Sequence, residues 1–273
     1  MSGLIANYKY SRTIDMAVLN PHNNFRQRLL SGECMIGTFA KTPSMMISEV
    51  LAHSPLDVVC IDAEHSPFDR SDIDRCLLAY REAQMPALVR VPSSSPEQIL
   101  NALDCGATGV LVPHIDSPEK AKECAVAAKY GSAGRGYAGS TRSAGYGDAS
   151  IDENIRINHS ETTVIIQIED IAALEKIDDI TAESGIDCIF IGIMDLTIAL
   201  DGKSASDPIV VNAAEKICNS AKSNNKKLGI FVPNIDGIEF WRERGVTLFL
   251  MSSEHGFIKQ GARSLVEKAL TKF

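Results

Sequence analysis

The chain has 273 residues, of which 45% are hydrophobic and 23% charged, and a formal net charge of -8. Such a make-up belongs to an ordinary globular protein. Lys and Arg are spread along the chain with no basic stripe to hold a phosphate backbone, so nucleic acid is excluded as an expected partner. No apolar run approaches the length of a membrane span, and the N-terminus lacks the basic start and apolar stretch of a secretory leader. The seven cysteines form an odd set without a CxxC pair, and several sit inside apolar runs. They fit a reduced, cytoplasmic protein. Residues 1–24 read as an N-terminal extension, and residues 25–273 as a single folded unit.

From residue 35 onward, short apolar runs alternate with longer segments of helical spacing. The runs are MIGTFA (35–40), VVCIDAE (58–64), ALVRVP (87–92), GVLVPHI (109–115), TVIIQIE (163–169), CIFIGIMD (188–195), LGIFVP (228–233) and LFLMSSE (248–254). Continuous rather than alternating apolar runs are what parallel strands covered on both faces require. Between them, SDIDRCLLAYREA opens with Ser71 as an expected N-cap, and SPEKAKECAVAAKY with Ser117 as N-cap and Pro118 at the first helical position. Eight such units in one chain predict a (β/α)₈ TIM barrel rather than an open doubly wound sheet.

In a barrel, the site lies where the C-terminal ends of the strands converge. Those ends carry Lys41 and Thr42, then Asp62, Glu64 and His65, then Arg90, His114, Gln167 with Glu169, Asp195, Asn234, and finally Ser252, Ser253 and Glu254. The opposite ends are mostly apolar. Concentrating unpaired charge at one rim has no structural benefit, because its burial is costly.

Several of these residues can carry chemistry. Gln167 and Glu169 are two apart on a strand and face the same way. With Asp195 on the next strand, the two carboxylates can converge on a hard divalent ion that keeps some of its water; the alternative is that each caps a helix or pairs with a base. Arg90 sits in an otherwise apolar strand and needs an anionic partner, either Asp62 or Glu64 in an ion pair or a substrate carboxylate or oxyanion. His65 can act as a general base oriented by Asp62, or it can be simply a satisfied polar residue. The loop GSAGRGYAGSTRSAGYG contains a literal GxGxxG, but it follows a helix rather than a strand, so it is not a dinucleotide fingerprint. Carrying Arg135, Tyr137, Arg142 and Tyr146, it reads as a mobile flap on the substrate side or a subunit side. No lysine stands mid-strand as an imine-forming nucleophile would, although Lys41 ends the first strand.

The set GTFAKTPS, IDAEHSPFD, LVRVP, VPHIDSPEKA, AGRGY, IIQIED and IFIGIMDLT resembles the HpcH/HpaI aldolase family. These are metal-dependent class II pyruvate aldolases of the phosphoenolpyruvate/pyruvate barrel superfamily. The resemblance covers nearly all of residues 25–273, with the motifs in order. It implies Glu169 and Asp195 as ligands of Mg²⁺, Mn²⁺ or Co²⁺, Asp62 and His65 as a base dyad, Arg90 on the substrate oxyanion, Gln167 beside the metal-bound substrate, and the backbone at Met194 facing its carboxylate. The implied reaction cleaves or forms a 4-hydroxy-2-oxo acid or 2-keto-3-deoxy sugar acid through a pyruvate enolate, with an aldehyde as second partner. A hexamer built as a trimer of dimers that exchange C-terminal helices is implied as well. The sequence departs from the family at Ile193, where a proline is usual, in the GSAGRG loop, and at SSEHGF ending the eighth run. Some relatives of this kind instead condense oxaloacetate with an acyl-CoA to make citrate for siderophores, without a metal. A barrel that only senses a 2-oxo acid is the reading from another class, and the complete residue set argues against it.

Overall fold

The computed structural model describes residues 22–273. The extension expected for residues 1–24 lies outside the described residues except for its last three, which open the first helix. In chain order the elements are α1 (His22–Ser31), β1 (Met35–Ala40), α2 (Met45–Ala52), β2 (Val58–Asp62), α3 (Arg70–Glu82), β3 (Ala87–Arg90), α4 (Pro96–Asp104), β4 (Gly109–Val112), α5 (Pro118–Ala127), α6 (Ile151–Glu161) and β5 (Thr163–Ile168). They continue through α7 (Ile171–Glu175), α8 (Ile177–Ala182), β6 (Cys188–Ile191), α9 (Ile193–Ala199), α10 (Pro208–Ser223), β7 (Lys227–Val232), α11 (Ile238–Glu243), β8 (Leu248–Ser253) and α12 (Glu254–Leu270). The eight strands pair in sequence order into a closed parallel barrel, the predicted (β/α)₈ fold.

Strand parity explains the continuous apolar runs. Along β2, Val58 and Cys60 point inward and join Met35, Leu88, Leu111 and Leu250 in a barrel-filling cluster, while Val59 and Ile61 point outward into the helical layer. Phe25 and Leu29 of α1, both fully buried, pack into the inner cluster beside Met35 and Leu248, the first residues of β1 and β8. The N-terminal end of the barrel is therefore plugged by apolar side chains. The same inward parity carries Asp62, Arg90 and Gln167 to the opposite end.

Local signals place most helix starts. Ser117 caps α5 with Pro118 following it, as expected. For α3 the cap is Asp69 rather than Ser71, because Asp69 and Asp72 bind each other's backbone amides in a reciprocal capping box. The stretch read as one long loop before the fifth strand contains α6, capped by Ser150 on the amide of Glu153. The rest of that loop is not on the substrate side. Arg135 is buried against Asp104, at the end of α4, and Arg142 binds both oxygens of Asp74 at 2.8 and 2.9 Å. The Asp104 anchor, and Arg81 at the end of α3 donating to the Arg142 carbonyl at 3.3 Å, place it at the N-terminal end of the barrel.

The last turn of the barrel is irregular. Between β1 and β8, Gly37 faces Leu250 but Phe39 faces Ser253, so β8 carries one extra residue. At this bulge Ser252 adopts φ 55°, and the Thr38 hydroxyl donates to the freed Met251 carbonyl at 2.7 Å. Just beyond it, the buried Glu254 carboxylate accepts the backbone amides of Lys41 at 2.8 Å and Thr42 at 2.6 Å. Glu254 is thus a clamp between the ends of β8 and β1 and the first residue of α12. Glu254→Ala should lower unfolding stability by about 2 kcal/mol, since charge-assisted bonds to buried amides are lost. Urea titration measures this, and a loss below about 0.5 kcal/mol, the range of an ordinary surface change, would contradict the clamp.

Candidate active site

Asp62 and Arg90 are register partners on neighbouring strands, so their inward side chains meet at the barrel mouth. Asp62 is fully buried; its Oδ1 accepts a hydrogen bond from Arg90 Nε at 2.9 Å and lies 2.8 Å from Nη2 in the ion pair. Its Oδ2 lies 3.1 Å from Lys41 Nζ, an ion pair without hydrogen-bond alignment. Burial alone would push the Asp62 carboxyl up; the hydrogen bond and charge of Arg90, helped by the His65 amide and Lys41, hold it below the usual carboxylate value. The Arg90 guanidinium also stacks over Phe39, 4.5 Å from the ring centre, and its Nε lies 3.3 Å from Glu64 Oε2. Among the described residues, no hydrogen bond uses Nη1 of Arg90.

The expected His65–Asp62 dyad does not form through the imidazole. Asp62 Oδ1 accepts the backbone amide of His65 at 3.2 Å, and the nearest carboxylate to the ring is Glu64, whose Oε2 lies 3.6 Å from Nε2. The physical reason is that Arg90 and Lys41 already occupy Asp62. The His65 side chain is 58% exposed and stands on the rim.

On the far side, Gln167 and Glu169 face the same way, as strand parity requires, and the Gln167 amide donates to Glu169 Oε2. Glu169 Oε1 accepts the His114 backbone amide at 2.8 Å. Gly192 makes room for this carboxylate, because a Cβ there would lie 2.6 Å from Glu169 Cβ and 2.8 Å from Oε2. Asp195 is not on a strand; it lies in the first turn of α9, exposed, next to Met194. Burial pushes the Glu169 carboxyl up, and the charge of Asp195 adds to the rise against the pull of Gln167 and His114. A cavity of about 390 Å³ opens here, lined by His65, Arg90, Gln167, Met194 and Asp195 together with Lys41 and Ser252. Its apolar floor includes Phe39, Phe190 and Phe231. Asn234 instead caps a short turn after β7.

One residue read only as a strand end proves central. His114 adopts φ 55°, uncommon for a side chain of its size. Its ring lies within 3.2 Å of Asp170, 3.4 Å of Glu169 and 3.6 Å of Glu64. The only signal in the sequence was its position directly after β4 in VPHIDSPEK, because its three carboxylate neighbours come from two other strand ends. His255, in SSEHGF, instead meets the Thr42 hydroxyl at 2.8 Å.

A barrel with cations, carboxylates and an open histidine gathered at one mouth belongs to the class of (β/α)₈ enzymes. The model of the family described as HpcH/HpaI aldolase/citrate lyase matches residues 35–260, and the chain belongs to that family. A hydroxypyruvate/pyruvate aldolase of Paraburkholderia phytofirmans is 30% identical over 254 residues, covering 90% of this chain and 97% of that protein. A 5-keto-4-deoxy-D-glucarate aldolase of Shigella boydii is 29% identical over 247 residues, covering 90% of this chain and 95% of that protein. Among solved structures, a HpcH/HpaI aldolase/citrate lyase family protein from Burkholderia cenocepacia superposes with a TM-score of 0.85 at 29% identity, covering 90% of this chain and 99% of that chain.

The His114 geometry makes a prediction in metal-free protein. Partial burial lowers its ring pKa, but Glu169, Asp170 and Glu64 outweigh this and raise it above the ordinary histidine value. The attraction is therefore fully present below that value and is withdrawn as pH rises through the elevated one. An NMR titration should show the His114 ring deprotonating above the ordinary histidine range, and Asp170→Asn should move it back down. A ring that titrates at or below the ordinary value would contradict the arrangement.

Proposed function

We propose that this chain is a class II aldolase that cleaves or forms a 4-hydroxy-2-oxo acid or 2-keto-3-deoxy sugar acid at the mouth of β1–β8. The observation that carries this reading is a single cavity lined at once by Arg90, Gln167, Asp195 and His65. Family membership and the named aldolase relatives support the reaction class.

The donor set fits a hard divalent ion such as Mg²⁺, Mn²⁺ or Co²⁺. Glu169 and Asp195 are oxygen ligands from adjacent elements, the buried Gln167 Oε1 has no partner, and Gly192 keeps the space beside Glu169 open. Two carboxylates with the remaining positions left to water and substrate suit such ions. Among the described residues no group of three or more acidic, His or Cys side chains is placed to hold a metal ion. Glu169 and Asp195 would hold the ion. When bound, it would polarise the keto group of a 2-oxo acid and so acidify the adjacent methyl protons.

The chain's own residues do the rest. His65 takes a methyl proton on its open imidazole, with Glu64 rather than Asp62 beside Nε2 to steady the resulting cation. Asp62 fixes Arg90 through Nε and Nη2, so that Nη1 serves the oxygen that gains charge as the aldehyde is added or expelled. Gln167 and the backbone at Met194 orient the 2-oxo acid. The aromatic floor and Ile193 keep water from the reacting carbons. Catalysis then depends on Arg90 being held at one angle, which a buried carboxylate does better than solvent.

The exposed apolar face of α12, including Phe257, Ile258, Leu265 and Val266, supports a hexamer in which paired subunits exchange this helix. Seven free thiols fit a reducing, cytoplasmic setting. No helix of the described residues is long and apolar enough to cross a membrane.

The test is pyruvate release from a panel of 4-hydroxy-2-oxo acids with Mg²⁺, Mn²⁺ or Co²⁺. Wild type should release pyruvate, and EDTA, Glu169→Ala or Asp195→Ala should each remove the metal-stimulated rate. Arg90→Lys should lower kcat/KM by roughly 100-fold or more, because an ammonium cannot hold Asp62 and the substrate oxygen in one plane. Absence of pyruvate with every metal, combined with chelator-insensitive thiol release from acetyl-CoA and oxaloacetate, would overturn the reading in favour of Claisen condensation.

A further inference from the structure

The SSEHGF segment is only partly explained by the Glu254 clamp, since Ser252 lines the cavity and is strained. Its φ of 55° lies in the left-handed region, which is strained for a serine and which glycine adopts freely. The strain is imposed by named contacts, namely the bulge against β1, the Thr38 bond to Met251 and the Glu254 clamp. The helix that follows is cut back for this side chain: a Cβ on Gly256 would lie 2.1 Å from Ser252 Oγ. Among the described residues that hydroxyl makes one hydrogen bond, a long 3.5 Å contact to the Ser253 carbonyl. On the adjoining strand end, Lys41 also lines the cavity, and among the described residues its ammonium pairs only with Asp62, leaving hydrogens for a ligand.

Position tells what these groups face. In the closed ring, β1 and β8 lie across from β5, which carries Gln167 and Glu169. The 2-oxo acid occupies the β5 and β6 side in the reaction proposed above and Arg90 on β3 meets the aldehyde oxygen, so the β1 and β8 wall is left for the rest of the second reactant. We propose that Ser252, with Lys41 beside it, binds a hydroxyl adjacent to the carbonyl of the aldehyde and sets a preference for α-hydroxy aldehydes over alkyl aldehydes of the same size. This rests on the aldolase reading. A site built to hydrogen-bond a substrate hydroxyl discriminates strongly against its absence, because its own polar groups are then left unpaired.

The experiment compares addition of pyruvate to glycolaldehyde and to propionaldehyde, which differ by a hydroxyl for a methyl, in wild type, Ser252→Ala and Ser252→Gly. The glycine variant removes the hydroxyl while accepting the left-handed backbone, so a folding defect in the alanine variant does not decide the outcome. In Ser252→Gly the glycolaldehyde-to-propionaldehyde ratio of kcat/KM should fall about tenfold, the size of one lost hydrogen bond, and the melting temperature should not fall. A ratio within about twofold of wild type, or a parallel fall with both aldehydes, overturns the proposal. Exchange of pyruvate methyl protons in D₂O by wild type separates the two claims. Exchange with an unchanged ratio overturns the role of Ser252 alone, whereas neither exchange nor addition overturns the aldolase reading and this role with it.

Discussion

A carboxylate without exposed surface, Asp62, binds an arginine that itself sits inside the barrel. Neither can stand alone: an unpaired ion at this depth is strongly destabilising, and removing one partner of a buried pair typically costs about 3–5 kcal/mol. The pair also organises its surroundings. Asp62 holds Lys41 with its second oxygen and the His65 amide with its first, and Arg90 reaches Glu64, which lies beside both His65 and His114. Most of the charge at the mouth is thus tied to a single register pair on β2 and β3.

The mouth stores strain on opposite sides of this network. His114 after β4 and Ser252 in β8 both take left-handed backbone conformations, and each is held there by long-range contacts. Such residues persist where the surrounding fold over-determines them, and they gather at functional sites. The plugged N-terminal end of the barrel, by contrast, is filled by apolar side chains and carries the ion-paired 131–150 loop away from the cavity.

The strands were legible because parallel strands in a barrel are buried on both faces, so each announces itself as a short continuous apolar run. The cap of α5 was legible because a serine and a following proline act within one turn. Where a stronger local signal competed, as with Asp69 and Asp72 at α3, the capping box prevailed over the serine, and the Ser150 to Glu153 spacing announced an unread helix. α9 gave no such notice: its cap is Gly192, without a side-chain bond, so Asp195 read as a strand residue.

Side-chain partnerships were less legible than side-chain positions. The pattern correctly brought Asp62, Arg90, Gln167, Glu169 and Asp195 to one rim, but it could not tell that Arg90 and Lys41 would claim Asp62 and leave Glu64 as the neighbour of His65. Glu254 closes on amides more than two hundred residues earlier in the chain, and His114 meets carboxylates from β2 and β5; no local spacing encodes either.

The claim on which the rest depends is that Asp62 acts through Arg90. A double-mutant cycle with Asp62→Asn, Arg90→Gln and the combined variant, read as the rate of pyruvate methyl-proton exchange and of aldehyde addition, tests it directly. The two losses should be strongly non-additive, with a coupling above about 1 kcal/mol and the double variant little worse than Arg90→Gln alone. Losses that add within about 0.5 kcal/mol would show that the two residues act independently and would contradict the account.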